Sequence, residues 1–269
     1  MENTECIKAV VFDIDGTLYD YRTGQVLPSS IDVAKKMKAD GYLIIVATGR
    51  TKVMLCREIT ECIAPDYYIL SNGALIVDKN NLRIFAKTFS RKDTQLLVDL
   101  TGQYNGAMVL KYDDKNCIYY DYDAGCRLWN VGPGMDVQNT YLDYDRKTHK
   151  KRLPVGISIY GNTQLNSCIR TYFPTDLFHD GHGFDVMRCG VHKMAALNLL
   201  LKKLRLHARN IIAFGDSEND LEMISHAGIG VAMGNASETL KKAANYIAPC
   251  SWEDGIARTL YTLKLTKLK

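Results

Sequence analysis

The sequence predicts an α/β domain interrupted by an inserted α+β module. Three observations carry that prediction. In the first third, short apolar runs alternate with helical patterns, which argues for a parallel sheet with helices on both faces. The same alternation returns after about residue 189. Between them lies a tyrosine-rich stretch whose strands pair as hairpins. The predicted division is 1–82 and 189–269 for the α/β domain, with 83–188 as the inserted module.

Each element has its own signal. Ile7–Phe12 is an apolar run short enough for a buried strand. Ser29–Asp40 has helical periodicity and is closed by Gly41, the residue favoured just past a helix end. Leu43–Ala47 is the next predicted strand, Thr51–Ile63 a helix and Tyr67–Leu70 a strand. In the module, Ala107–Tyr112 and Cys117–Tyr122 flank Asp113-Asp114-Lys115-Asn116, a hairpin signal. Val155–Tyr160 reads as a strand, Asn162–Tyr172 as a helix and Phe184–Met187 as the strand leading back. The last third predicts helices over 194–206, 218–226 and 238–244, with strands over 211–214, 229–233 and 246–247. Ligands of open α/β sheets bind beyond the carboxyl ends of the strands. A module inserted at that edge is expected to act as a lid.

Composition narrows the class. With 269 residues, 46% of them hydrophobic, the chain can bury one large core or two smaller ones. Net charge is +4, from 34 basic and 30 acidic residues. The basic residues are dispersed, so neither nucleic acid nor a charged surface is implied. No apolar stretch approaches a membrane span. The opening Met-Glu-Asn-Thr-Glu-Cys lacks a basic segment before an apolar one, so a cytoplasmic location is expected. The eight cysteines include no Cys-x-x-Cys and no zinc-type spacing, and are expected to be reduced.

The chemistry concentrates at Val10 to Leu18. An apolar strand ends in Asp13 and Asp15, and the chain turns at Gly16. Residues i and i+2 share a face, so both carboxylates leave the strand end together. Two acids that close repel, so a cation, a proton or a phosphoryl group is expected between them. A plain strand and Asp-Gly turn is the competing reading. A calcium loop is excluded, because its sixth and twelfth positions would be Leu18 and Gly24.

Three further segments fall at predicted strand ends or helix starts. Thr48-Gly49-Arg50 follows the second strand and suits either a phosphate oxygen or a helix cap. Lys193 opens a helix; a solvated surface lysine is the plain reading, but the macrodipole disfavours a cation there, which points to a negative partner. Gly215-Asp216-Ser217-Glu218-Asn219-Asp220 crowds three acids and an amide at one strand end; capping is one use for them, Mg²⁺ another. Asp216 would then complete a site begun by Asp13. Two other motifs are set aside. Gly228 to Gly234 misses the dinucleotide spacing by one place, and His179-Asp180-Gly181-His182 has no further ligand cluster nearby in sequence.

Assembled, these residues resemble the haloacid dehalogenase superfamily, and more narrowly its Cof-type sugar phosphatases with a class IIB cap. Asp13-Ile14-Asp15-Gly16-Thr17, Thr48-Gly49-Arg50, Lys193 and Gly215-Asp216-Ser217-Glu218-Asn219-Asp220 match the four motifs in order. Ser71-Asn72-Gly73-Ala74, Met233-Gly234-Asn235-Ala236 and Asp254-Gly255-Ile256-Ala257 match secondary signatures of the group. His192 and Met194 depart from the residues common beside the lysine. The resemblance implies a Rossmann-like doubly wound parallel core with an inserted α+β cap, and a phosphatase of small phosphomonoesters, sugar phosphates first. It implies Asp13 as nucleophile, Asp15 as acid and base, and Thr48, Gly49 and Lys193 on the phosphoryl oxygens. It implies Mg²⁺ on Asp13, Asp216 and the Asp15 carbonyl. Asn219 and Asp220 would support phosphate and Lys193. Arg127, Trp129, His179, His182 and Arg188 are the candidates for leaving-group contacts. Two alternatives stay open: a phosphosugar mutase, and a non-catalytic phospho-ligand sensor.

Overall fold

The computed structural model describes residues 6–121, 123, 139–177 and 183–266. These form two compact units. The first holds the described residues of 1–49, 56–85 and 192–269; the second holds those of 50–55 and 86–191.

The chain opens with β1 (Ala9–Phe12), a small hairpin of β2 (Tyr19–Asp20) and β3 (Gln25–Val26), α1 (Pro28–Ala39) and β4 (Leu43–Ala47). Then come β5 (Tyr67–Leu70), β6 (Leu75–Asp78) and β7 (Arg83–Ala86). The second unit contributes α2 (Arg91–Gln103), β8 (Ala107–Lys111), β9 (Asn116–Tyr120), β10 (Thr140–Leu142), α3 (Thr148–Lys151) and β11 (Gly156–Tyr160). It ends with α4 (Thr163–Arg170), β12 (Thr175–Leu177) and β13 (Gly183–Val186). The first unit resumes with α5 (Lys193–Leu204), β14 (Ile211–Gly215), α6 (Leu221–His226), β15 (Ile229–Ala232), α7 (Glu238–Ala243), β16 (Tyr246–Ile247) and α8 (Gly255–Thr262).

Among the described residues the large sheet runs β16-β15-β14-β1-β4-β5-β6-β7. It is parallel from β16 to β5, and β6 turns back antiparallel on β5. The runs Ala-Val-Val-Phe, Leu-Ile-Ile-Val-Ala and Ile-Ile-Ala-Phe-Gly are apolar throughout because helices cover both faces. On one face Val11, Ile45 and Ala213 meet Met194, Leu197, Leu200 and Leu201 of α5, with Met223 and Ile224 of α6. On the other face α1 buries Val33, Ala34 and Met37 and packs on β4 and α8. Truncating a fully buried residue such as Leu197 to Ala is expected to cost about 2–5 kcal/mol. Register decides the rest: Phe12 pairs with Phe214 on one side and Val46 on the other. Asp13, Ala47 and Gly215 therefore emerge level with one another at one sheet edge.

The second unit carries a sheet in the order β10-β9-β8-β11-β13-β12. Met108, Leu110, Tyr119, Ile157, Ile159 and Phe184 form its core with Leu97 of α2 and Leu165 of α4. The predicted hairpin is there as β8 and β9, antiparallel, with Lys111 opposite Asn116. Val109 and Ile118 point to the other face and bury Met54.

That contact explains one wrong expectation. The predicted helix over 51–63 is broken: a 3₁₀ turn covers Lys52–Met54, Leu55 is extended, and a π-type turn covers Glu58–Ile63. Met54 belongs to the second unit's core while Ile59 and Ile63 are buried in the first, so one rigid helix cannot serve both. The predicted helix over 218–226 likewise divides into a 3₁₀ turn, Glu218–Asp220, and α6. Helix α1 begins at Pro28, whose fixed φ and missing N–H suit a first helical turn.

Candidate active site

The predicted chemistry gathers at the edge where β1, β4 and β14 end. Asp13 follows β1, its N–H donating to the Phe214 carbonyl (3.0 Å), and its side chain is buried. The chain turns directly after it: Gly16 donates to Tyr19 O (2.9 Å) and Thr17 to Ile14 O (3.1 Å). Gly16 has φ +80°, and a Cβ there would overlap the Asp216 carboxylate. Glycine is thus required both by backbone conformation and by the close approach of Asp216. Asp15 is partly exposed.

Lys193 is the first residue of α5 and is buried. Its ammonium donates to Asp13 Oδ1 (2.6 Å), Asp220 Oδ1 (2.6 Å) and Asn219 Oδ1 (3.2 Å). A buried cation at a helix N-terminus is unfavourable alone, and these acceptors are what stabilise it. Asp220 is fully committed, since its Oδ2 also accepts from the N–H groups of Asp216 (3.1 Å) and Ser217 (3.3 Å).

Carboxylate oxygens of Asp13, Asp216 and Asp220 lie within 4.8 Å of one another. Burial pushes the Asp13 carboxyl up to about 7; Lys193 opposes this and Asp220 and Asp15 add to it. Burial pushes Asp216 up to about 9, reinforced by Asp13 and Asp220 and opposed by Lys193. Burial alone would lower Lys193, but Asp13 and Asp220 outweigh it and hold the ammonium above its ordinary range. Two carboxylates thus hold the ammonium directly and a third lies beside them, so the cluster has more acidic groups than cations.

Asp216 Oδ1 is buried without a hydrogen-bond partner among the described residues. An orphaned carboxylate oxygen is costly unless something positive meets it. An all-oxygen donor set with surplus negative charge fits a hard divalent cation such as Mg²⁺. The residues present therefore fit the metal that the motifs implied.

Thr48 is buried at the end of β4, and Gly49 follows it. Their neighbour Asn72 was not assigned a role by sequence. Ser71, Asn72 and Gly73 all have positive φ (49°, 54° and 99°), two of them non-glycine, which is a strained backbone. The strained turn places Asn72 N–H on Thr48 O (3.0 Å) and lets Asn72 Oδ1 accept from Asn219 Nδ2 (3.0 Å). Loops after β4, β5 and β14 are joined through this one residue, by its backbone N–H to one and its side chain to the other. An Asn-Gly pair is a turn signal that could have marked this site, but nothing local names its partners.

Arg188 lies in the second unit, its guanidinium 4.3 Å from the Phe89 ring centroid and its Nη2 donating to Val155 O (3.0 Å). Burial lowers its guanidinium to about 10, with Asp93 opposing. Arg127, Trp129, His179 and His182 lie outside the described residues. Among the described residues no helix is long and apolar enough to cross a membrane.

A mostly parallel sheet with an acid-crowded carboxyl edge and a buried lysine is the frame of the site, and the family and relatives that the chain matches make it a phosphoric monoester hydrolase acting on small phosphorylated metabolites. The chain belongs to the haloacid dehalogenase-like hydrolase family, whose model matches residues 10–260. It is 28% identical over 268 residues to 5-amino-6-(5-phospho-D-ribitylamino)uracil phosphatase YcsE of Bacillus subtilis, covering 94% of each chain. It is 24% identical to pyridoxal phosphate phosphatase YbhA of Escherichia coli, covering 95% of this chain and 98% of the other. Its fold matches that of BT1666, a phosphatase from Bacteroides thetaiotaomicron, with TM-score 0.83 at 25% identity, covering 97% and 96% of the two chains.

Proposed function

We propose that this enzyme is a Mg²⁺-dependent phosphatase that hydrolyses sugar or sugar-alcohol phosphates through an aspartyl-phosphate on Asp13. The observation that carries this reading is the buried Lys193 ammonium held at 2.6 Å by both Asp13 and Asp220, beside an Asp216 oxygen with no partner. Lys193 occupies Asp13 Oδ1 and leaves Oδ2 to attack phosphorus. The bond from phosphorus to the ester oxygen breaks, and Asp15 gives that oxygen its proton. Asp15 then takes a proton from water, whose oxygen attacks the aspartyl-phosphate and releases inorganic phosphate and the Asp13 carboxylate. Thr48, the Gly49 N–H and Lys193 hold the phosphoryl oxygens, and Asn219 and Asp220 keep Lys193 in place. Asp13, Asp216 and the Asp15 carbonyl would hold Mg²⁺, which neutralises charge on the phosphoryl group when bound.

Relatives and chemistry together support the substrate class. A ribityl phosphate is named for YcsE and pyridoxal phosphate for YbhA. Both present a phosphate on a primary alcohol, and polyol and sugar phosphates share that group. The test is phosphate release from a panel of hexose, pentose and polyol phosphates, pyridoxal phosphate and p-nitrophenyl phosphate. Wild type and Asp13→Asn are compared with Mg²⁺ or EDTA. Release should need both Mg²⁺ and Asp13, with polyol and sugar esters ranked above pyridoxal phosphate. Release that persists in EDTA, or in Asp13→Asn free of deamidation, would falsify the mechanism. A flat ranking would remove the substrate class and leave the mechanism.

A further inference from the structure

Asn235 sits on the turn after β15, in a stretch that the chemistry above leaves unused. Its side chain reaches three separate loops. Nδ2 donates to the Gly16 carbonyl (2.8 Å) and to Asp216 Oδ2 (3.4 Å), and Oδ1 accepts from the Ser251 N–H (3.0 Å). The Ser251 contact fixes which end of the amide faces the acids, because only an oxygen can accept there. The nitrogen must then face Gly16 and Asp216. Asp216 is also held by its backbone: its carbonyl accepts from Ser237 N (3.1 Å) and its N–H donates to Asp220 Oδ2 (3.1 Å). On the remaining side, the bare Cα of Gly16 lets the carboxylate lie directly against the turn.

We propose that Asn235 is a positioning residue for the divalent cation: its amide engages Asp216 Oδ2 and keeps Oδ1, the oxygen without a partner, turned toward the ion. The inference rests on the reading of Asp216 as a cation ligand. Partners behind a ligating carboxylate orient it, and their removal weakens metal affinity by about 10–100-fold. Through the Gly16 carbonyl the same amide ties the Asp13–Asp15 turn to the Asp216 loop, so ligands from β1 and β14 are set by one side chain.

The experiment is calorimetric titration of Mg²⁺ into the full chain stripped of metal, for wild type, Asp216→Asn, Asn235→Ala and Asn235→Asp. Thermal melts in EDTA establish that each is folded. The expected result is loss of binding in Asp216→Asn and about tenfold or greater weakening in Asn235→Ala. Asn235→Asp has nearly the same shape and still accepts from Ser251, but has lost the donor. It should also bind more weakly, although it adds a negative charge. Wild-type affinity in a folded Asn235→Ala overturns the inference, as does tighter binding by Asn235→Asp, which would show that charge count governs. Should Asn235→Ala not fold, Asn235→Asp alone decides. Binding by Asp216→Asn equal to wild type would instead overturn the reading of Asp216 itself.

Discussion

Each unit buries charged and polar side chains, but the two balance them differently. In the second unit Lys111 and Asp185 form a buried ion pair (2.8 Å), and Ser158 donates to the same Asp185 oxygen (2.5 Å). His149 is equally settled. The Tyr119 hydroxyl faces its Nδ1 (2.9 Å), and Gln95 Oε1 faces its Nε2 (3.0 Å). Gln95 is turned by its own donation to Asp99 (2.8 Å), so its carbonyl meets the imidazole and the ring proton sits on Nε2. In the first unit three acidic side chains cluster at Lys193, two of them bonded to it; Asp13 and Asp216 are pushed well up, and one Asp216 oxygen has no partner among the described residues. Buried polarity alone is therefore no mark of function. Nor is a single orphaned atom, since Asn116 Nδ2 and Arg188 Nη1 of the second unit are also buried without a partner among the described residues; what marks the first unit is the crowding of three acidic side chains around one cation.

The comparison breaks most visibly at Lys193. Lys193→Met removes the ammonium between Asp13 and Asp220 and leaves their carboxylates facing each other. Turnover should fall by at least about 10³-fold, as expected for losing a preorganised charge on the phosphoryl group. Breaking the buried pair should also cost about 3–5 kcal/mol in EDTA at neutral pH, with part regained on adding Mg²⁺. Steady-state rates and urea melts measure both. Turnover within tenfold of wild type would show that the imbalance is not catalytic.

Next in size is the balanced pair. Asp185→Ala removes the carboxylate from the buried Lys111 and should destabilise by about 3–5 kcal/mol, whereas the double change Lys111→Met with Asp185→Leu should recover most of that loss. Mg²⁺ affinity should be unchanged in the double variant. A double variant as unstable as the single would mean that the pair specifies the second unit's structure instead of merely tolerating burial.

How much of this was legible follows the same division. Asp13, Lys193 and Asp216 were readable because a strand end or a helix start fixes where such side chains leave the backbone, whereas β1 stops at Phe12 and Asp15 lies in the turn beyond it, where strand periodicity no longer holds. The strands β1, β4, β5 and β14 were readable because burial on both faces makes them continuously apolar. Asn72 and Asn235 were visible as motif residues but not as links, since Asn219 lies 147 positions from Asn72 and Gly16 lies 219 from Asn235. The break at Leu55 was hidden for a related reason: Met54 fits a helical pattern, and only the second unit's Val109 and Ile118 draw it aside. The strands β2 and β3, of two residues each, are too short to carry a period.

The smallest expected effect concerns pH, and it reads the imbalance directly. Asp13 and Asp216 have an ordinary value of 3.8, and the folded chain raises them to about 7 and about 9. Between those limits the folded protein holds protons that the unfolded chain has released. Their contribution is fully present below about pH 4 and is lost as pH rises through 7 and then 9. In EDTA the melting temperature should therefore fall across this window. Mg²⁺ competes with the same protons, so its stabilisation should grow over the same range, at about 2–4 °C for each kcal/mol in a chain of this size. The quantity to measure is the melting temperature with saturating Mg²⁺ minus that in EDTA, from about pH 5 to about pH 9. A difference that widens by several degrees, and that Asp216→Asn flattens, ties the surplus charge to the cation. A difference independent of pH would mean that the carboxylates are already relieved by some other means, and the contrast between the two units would lose its functional meaning.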